Sequence, residues 1–351
     1  MLSRTARARS HAALGARLGA ERGGPCQVCG GLFGRLPGYV GGMERAAAGY
    51  EFATFSAGCS VPAGIVERDD QVRSEFGLRG TGGIKSDVAR ELGRRLARRT
   101  GARQERLRPD ISLVVDSESG RCQVSSRQVV ISGRYVKTAR GPSQRSARCA
   151  ACGGAGCAAC GWHGIANDGG VEWLVSRHLF SEVGGTTASF TWVGGEDGSS
   201  LVLGSGRPFF ARIRGPRRRS LHRASADLGP VRLRGLRVSG GAPAGPLRFE
   251  SDAVVRVLPG GAADPAGLRA LDGASVTVHE KSGRRATKSV HSLRYRRRGR
   301  HIEVRLRADG GLPIKRFVSG DGVVPGISQA LGVPCTCERF DFEDVRMATI
   351  N

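Results

Sequence analysis

Four thiols within twelve residues, Cys149-x2-Cys152-x4-Cys157-x2-Cys160, constrain the fold of this chain more than any other local feature. Gly153, Gly154 and Gly156 between them allow the left-handed turns through which thiolates converge. Four thiolates close a tetrahedral Zn²⁺, which makes the expected site structural, with no open position for catalysis. His163 is a spare ligand by position but reads first as a surface histidine. Only four residues separate the two pairs, so a site that borrows another pair is an open alternative. Cys26-x2-Cys29 is a second half-site that needs partners to hold a metal. Ten cysteines are too few for a disulfide-dense scaffold, and six of them lie in C-x2-C pairs. That usage fits metal in a reducing, cytoplasmic compartment. Cys335-x-Cys337 has the wrong spacing for a knuckle and, with Cys59 and Cys122, is expected to pack as small apolar side chains.

Charge narrows the partners. Lys and Arg number 55 against 31 acidic residues, a formal charge of +24, and only five of the 55 are lysines. Such a surplus favours a polyanion, most simply nucleic acid, because neutralised phosphates release counterions. An arginine-inflating coding composition is the plain alternative, and the 54 glycines fit it. No apolar run approaches the roughly 20 residues of a membrane span, which excludes a polytopic membrane protein. Met1–Ala20 holds four arginines and no acid. It reads as a basic leader more simply than as a transit peptide, with a short helix expected at 11–20.

Along the chain, Ile84, Val88, Leu92 and Leu96 recur at helical spacing and predict an amphipathic helix over 84–100. Its arginines (90, 94, 95, 98, 99) fall largely off the apolar face, which is either solvated or turned to RNA. A second helix is expected over 171–180. Strand-like runs fall at 51–57 and 111–115 in a mixed N-terminal region; beyond the cysteines they recur at 189–193, 201–204, 209–213, 253–257, 275–279 and 301–307, punctuated by Gly and Pro as in an antiparallel sheet. The fold class is therefore α+β. The expected division is an accessory region over 1–147, a Cys-rich insert over 148–164, and a sheet domain over 165–351.

Several runs resemble one family in order and over nearly the whole chain. They are CQVCGGLF at 26–33, YEFATFSAG at 50–58, Pro109-Asp110-Ile111, and ISGRYVK at 131–137 with RGPSQ at 140–144. GSGRPF at 204–209 and IKRFVSGD at 314–321 complete the set. They are similar to the tRNA pseudouridine synthases of the Pus-ten type from archaea and eukaryotes. The resemblance implies a THUMP-like, zinc-containing accessory domain that binds RNA and a C-terminal antiparallel pseudouridine synthase domain. It also implies isomerisation of uridines 54 and 55 in the tRNA TΨC loop, begun by an Asp carboxylate, with structural zinc and no organic or other small-molecule cofactor. The expected partner is the TΨC arm of tRNA, with no membrane; no protein partner is legible. Implied substrate contacts are Arg134, Tyr135, Lys137, Arg140, Arg207, Lys315 and Arg316. The Arg217–Arg219 and Arg294–Arg300 runs are expected to be nonspecific or merely exposed.

The chain departs from that pattern at its catalytic run. Laid without gaps, GGEDGSSLVLGSGRPF (194–209) places Ser199 where the family has its reacting Asp. Asp197 is the nearest carboxylate; two residues along an extended strand would put it roughly 6.6 Å away, unless an irregular loop closes the gap. Ser251 and Pro313 stand where tyrosines are expected. A serine hydroxyl is not ionised near neutral pH. These residues favour a tRNA-binding member that has lost its chemistry, such as a chaperone, over a working synthase, with a generic basic nucleic-acid binder as the third reading.

Overall fold

The computed structural model describes residues 26, 28–75, 77, 82–280 and 282–347. The basic leader and the helix expected at 11–20 lie outside them. The chain forms two compact units, Met1–Gln128 with Gly215–Arg219, and Val129–Arg214 with Ser220–Asn351.

In the smaller unit, helices α1 (Leu32–Ala47), α2 (Ala63–Glu75) and α3 (Ile84–Thr100) accompany a four-stranded sheet. Its strands are β1 (Thr54–Ser60), β2 (Arg103–Gln104), β3 (Ile111–Asp116) and β4 (Cys122–Ser126), in the order β2-β1-β3-β4. The periodicity of α3 buries Ile84, Val88, Leu92 and Leu96. Asp69 Oδ2 accepts the Ile84 N–H at 2.8 Å, doing the work of an N-cap. Gly101, at φ 71°, ends the helix in the left-handed conformation. Its arginines pair within the unit: Arg90 with Asp87, Arg94 and Arg95 with Glu91, and Arg99 with Glu44. Helix α1 escapes the sequence pattern because Pro37 and four glycines interrupt it, yet Leu32, Leu36, Tyr39, Val40 and Met43 line one buried stripe.

The larger unit carries β5 (Val129–Lys137), α4 (Val171–Val183), β6 (Thr187–Trp192), β7 (Val202–Arg214), β8 (Ala226–Asp227) and β9 (Val231–Ser239). It continues with β10 (Phe249–Pro259), β11 (Ser275–His279), β12 (Arg285–Arg298) and β13 (His301–Asp309). Helix α5 (Ile314–Ser319), β14 (Val323–Val324), α6 (Ile327–Leu331) and β15 (Cys335–Met347) complete it. One eleven-stranded sheet runs β14-β11-β12-β13-β10-β15-β7-β5-β9-β8, with β6 on β7. Most neighbours are antiparallel, as expected, but β15 meets β7 in parallel. Strand β5, placed by sequence in the accessory region, lies inside this sheet between β7 and β9. All its residues but Arg134 are buried. The boundary therefore falls at 128/129, not 147. Cys335 is buried, and Cys337 packs against the same core. Cys59 and Cys122 pack on the smaller core, as expected.

Candidate active site and thiolate knuckle

Residues 193–201 connect β6 to β7 as an irregular loop rather than an extended strand. Gly194 has φ 78°, and a Cβ there would lie 2.6 Å from both Arg207 Nη1 and the Phe249 ring, so only glycine fits. Beneath the loop the Glu196 side chain is fully buried. Its Oε2 accepts from Arg207 Nε at 2.8 Å and from the Tyr135 hydroxyl at 2.7 Å. Gln144 Nε2 donates onward to Tyr135 and to the Gly194 carbonyl. Lys137 Nζ lies 3.8 Å from Glu196 Oε1 and donates to the carbonyls of Pro142 and Asp197, at 2.9 and 2.8 Å. Arg207 also donates to Val193 O, and its guanidinium sits 4.4 Å over the Phe342 ring. A buried carboxylate surrounded by two cations and a phenol meets the requirement that interior charge be paired. Burial, then the Glu196 charge, pushes the Tyr135 phenol well above its ordinary range.

A second clamp holds the loop from outside. Arg140 donates to the Ser199 carbonyl and pairs with Asp341 at 2.7 Å, while Asp341 accepts the Leu201 N–H at 2.8 Å. The Gly141 N–H donates to Gly198 O at 2.8 Å. A Cβ on Gly198 would sit 2.8 Å from the Gly141 carbonyl.

On this floor Asp197 faces outward, its side chain 39% exposed. Its Oδ2 takes Lys315 Nζ, from the first turn of α5, at 2.5 Å. Its Oδ1 accepts both the N–H and the hydroxyl of Ser199, at 3.0 and 2.7 Å. The loop therefore closes the gap expected between positions 197 and 199, and the carboxylate and hydroxyl share one spot. Burial raises the Asp197 pKa, but the Lys315 and Ser199 hydrogen bonds and the Lys315 charge outweigh it and hold the carboxyl below its usual value. Lys315 is itself 56% exposed and lies 6.0 Å over the Phe340 ring.

The expected substrate contacts divide. Tyr135, Lys137 and Arg207 are buried and build the floor, so none of them is placed to touch RNA. Arg134 is spent on Ser205, Gly206 and Val345 carbonyls, stapling β5, β7 and β15. Arg316 donates to the carbonyls of Asp321 and His279. Ser251 is buried in β10 between Ala308 and Val345, and Pro313 caps α5. Asp197, Ser199, Lys315 and the part-exposed Arg140 remain together at the surface. Glu196, Asp341 and Gln144, which position them, went unremarked as site residues in the sequence; their partners lie far along the chain or give no periodic signal.

The four knuckle thiols converge, all within 4.8 Å of one another. Three Sγ–Sγ distances are 3.9 Å, close to the about 3.8 Å edge of a tetrahedron with 2.3 Å metal–sulfur bonds. N–H groups point at sulfur: Gly156 at Cys152 (3.2 Å), Cys157 at Cys160 (3.3 Å) and Gly164 at Cys160 (3.2 Å). The Cys157 N–H foremost, with Gly164 and the neighbouring thiols, brings Cys160 down to about 6. The donor set fits one tetrahedral metal ion such as zinc, and among the described residues no pair from elsewhere joins it. His163 is not in the cluster; it stacks on Phe180 at 4.3 Å. Cys26 and Cys29 sit just before α1, and among the described residues no third ligand joins them.

Comparison with known proteins places this geometry. The family model for the archaeal Pus10 THUMP domain matches residues 39–116, and that for the Pus10 C-terminal region matches 130–229. The tRNA pseudouridine synthase Pus10 of Nitrosopumilus maritimus is 39% identical over 326 residues, covering 92% of this chain and 86% of that protein. The protein of the same name from Cenarchaeum symbiosum is 41% identical over 332 residues, with 93% and 82% coverage. The chain belongs to the Pus10 family. The THUMP match falls within the smaller unit, and the Pus10 C-terminal match runs from β5 through the knuckle and the 193–201 loop. Among the described residues no helix is long and apolar enough to cross a membrane.

Proposed function

We propose that this chain is a working tRNA pseudouridine synthase that acts on the TΨC loop at uridines 54 and 55, with Asp197 rather than Ser199 as the reacting carboxylate. The contact of Asp197 with Lys315 at 2.5 Å, on an exposed loop, carries the reading. It supplies an ionised carboxylate at the place where the ungapped comparison left only a hydroxyl. The Asp197 carboxylate attacks the ribose and the C1′–N1 bond breaks. The freed uracil anion turns, its C5 displaces the Asp197 carboxylate from C1′ as the C5–C1′ bond forms, and the C5 proton is lost while N1 takes one up. Atoms and oxidation level balance without a cofactor. Lys315 keeps Asp197 ionised, Ser199 orients it, and the Glu196–Arg207–Tyr135–Lys137 floor fixes the loop. The knuckle holds structural Zn²⁺, which suits a reducing cytoplasm.

A second reading, tRNA binding without chemistry, draws on Ser251 and Pro313 at the positions of expected tyrosines. Pseudouridine mapping on an unmodified tRNA transcript separates the two. Product is expected from the wild-type, zinc-loaded protein and from Ser199→Ala. Asp197→Asn is expected to bind and make none. Wild-type binding without product would establish the second reading, and undiminished product from Asp197→Asn would unseat Asp197.

A further inference from the structure

The larger unit has a second basic feature, which shares Arg145 with the hollow against residues 194–196. A cleft of about 630 Å³ opens between the knuckle and strands β6 and β7. Arg145, Arg148, Arg212 and Arg214 line it. Their side chains make no hydrogen bond or ion pair among the described residues. Arg212 and Arg214 alternate along β7, paired to Ser189 and Thr187 of β6, and so share one face. The cleft's one carboxylate, Glu172, is turned onto the Ser146 N–H at 3.2 Å. Four guanidiniums with no hydrogen bond or ion pair among the described residues, against one carboxylate that is bonded to Ser146 and feels the Arg145 charge, form a site for anions of the phosphodiester class.

Trp162 stands beside it, one residue before His163 of the cleft wall. It is 64% exposed, and it is the one non-glycine residue with positive φ among those described, at 69°. That conformation costs free energy for a bulky side chain and persists only where its surroundings enforce it. Here the Trp162 N–H is bound to Cys157 O at 2.8 Å, and its carbonyl lies over Gly156, where a Cβ would be 2.7 Å away. The knuckle thus holds a large aromatic face in water beside this basic cleft.

We propose that the knuckle and this cleft form a second tRNA contact: Trp162 stacks on an unpaired base, and the four arginines take the flanking phosphates. The occupant is single-stranded RNA because a paired base offers no free face for stacking, whereas loop nucleotides do. The inference rests on the reading of tRNA as the partner and extends it to a site that does no chemistry.

Binding of the full-length, zinc-loaded protein to an unmodified tRNA transcript, titrated across salt, tests it. Trp162→Ala is expected to weaken binding about tenfold with the salt slope unchanged, and Trp162→Phe to restore most of the loss. Arg148→Ala/Arg212→Ala is expected to flatten the slope of log K against log salt by roughly 1.5 to 2. Zinc content and melting equal to wild type exclude a folding defect. Variants that bind within twofold of wild type at low and high salt would overturn the contact while leaving the proposed function intact. A wild-type protein that ignores tRNA would overturn both.

Discussion

Burial pushes the Asp197 carboxyl upward, whereas the Lys315 ammonium and the Ser199 hydroxyl pull it below its ordinary value, and the second influence prevails. The stabilisation linked to a lowered carboxyl is present above its unfolded-state pKa and is lost as pH falls through the folded one. Lys315→Met removes the dominant opposing influence, so the Asp197 pKa rises and the acid limb of the kcat/KM profile moves to higher pH. A charge-assisted hydrogen bond of about 1.5 kcal/mol corresponds to a limb moved by about one pH unit, with the loss deepening as pH falls and fading toward pH 8. A pH–rate profile that drops without moving would mean that Lys315 acts on RNA and not on Asp197. The sequence showed Asp197, Ser199 and Lys315 but not their meeting: the separation of roughly 6.6 Å holds for an extended strand, and the irregular loop left open as the alternative is the one that forms, through Gly194 and Gly198. It likewise read Tyr135, Lys137 and Arg207 as RNA-facing. Their common partner, Glu196, is 61 residues from Tyr135, and only the fold brings the two together.

At the scale of elements, regular periodicity was legible and interrupted periodicity was not. Helix α3 runs over the expected residues 84–100, and β11 over the expected 275–279. Helix α1 was hidden by Pro37 and by Gly34, Gly38, Gly41 and Gly42, although its apolar stripe is intact. Gly38 is exposed, and a Cβ on it would meet nothing within 4 Å. Gly38→Ala is therefore expected to stabilise the smaller unit by ~0.5–1 kcal/mol in denaturant unfolding, through helix propensity and a less flexible unfolded chain. Gly93 of α3 gives the contrast, since a Cβ there would lie 2.3 Å from the Gln104 amide, so that side chain must move aside and the same change should gain less. The knuckle was legible because thiol spacing is local chemistry. Its closure within the insert follows from the positive-φ glycines 153, 154 and 156, which let four residues span the two pairs. Cys149→Ala/Cys152→Ala, or chelation, should remove about one metal per chain by elemental analysis. Amide exchange should then quicken over 149–164 while β5 and β7 remain protected. Unchanged exchange in a metal-free protein would show that the knuckle holds itself together.

For the whole molecule, the formal charge of +24 pointed to a polyanionic partner and α+β class was readable, but the boundary between units was not. Strand β5 precedes the cysteine run and has no turn signal to separate it from the accessory region. Its membership of the larger sheet is decided by partners 70 to 100 residues downstream, Phe209 opposite Gly133 and Leu233 opposite Tyr135 among them. Such pairing leaves no local trace, since β5 is buried on both faces yet carries Ser132, Gly133, Arg134 and Lys137, and so shows neither an alternating nor a continuous apolar pattern. The two candidate boundaries make different fragments. One starting at Val129 keeps β5 between β7 and β9, together with Tyr135 and Lys137 around Glu196, and should unfold cooperatively with far-UV dichroism typical of strands. One starting at Arg148 loses a central strand, exposes the facing edges of β7 and β9, and leaves Glu196 and Arg207 without Tyr135, Lys137 and Gln144. Unpaired inner edges associate and stripped buried charges destabilise, so that fragment should aggregate or fail to show a cooperative transition. A soluble, cooperatively folding 148–351 fragment would restore the boundary at 147 and reduce β5 to an accessory strand.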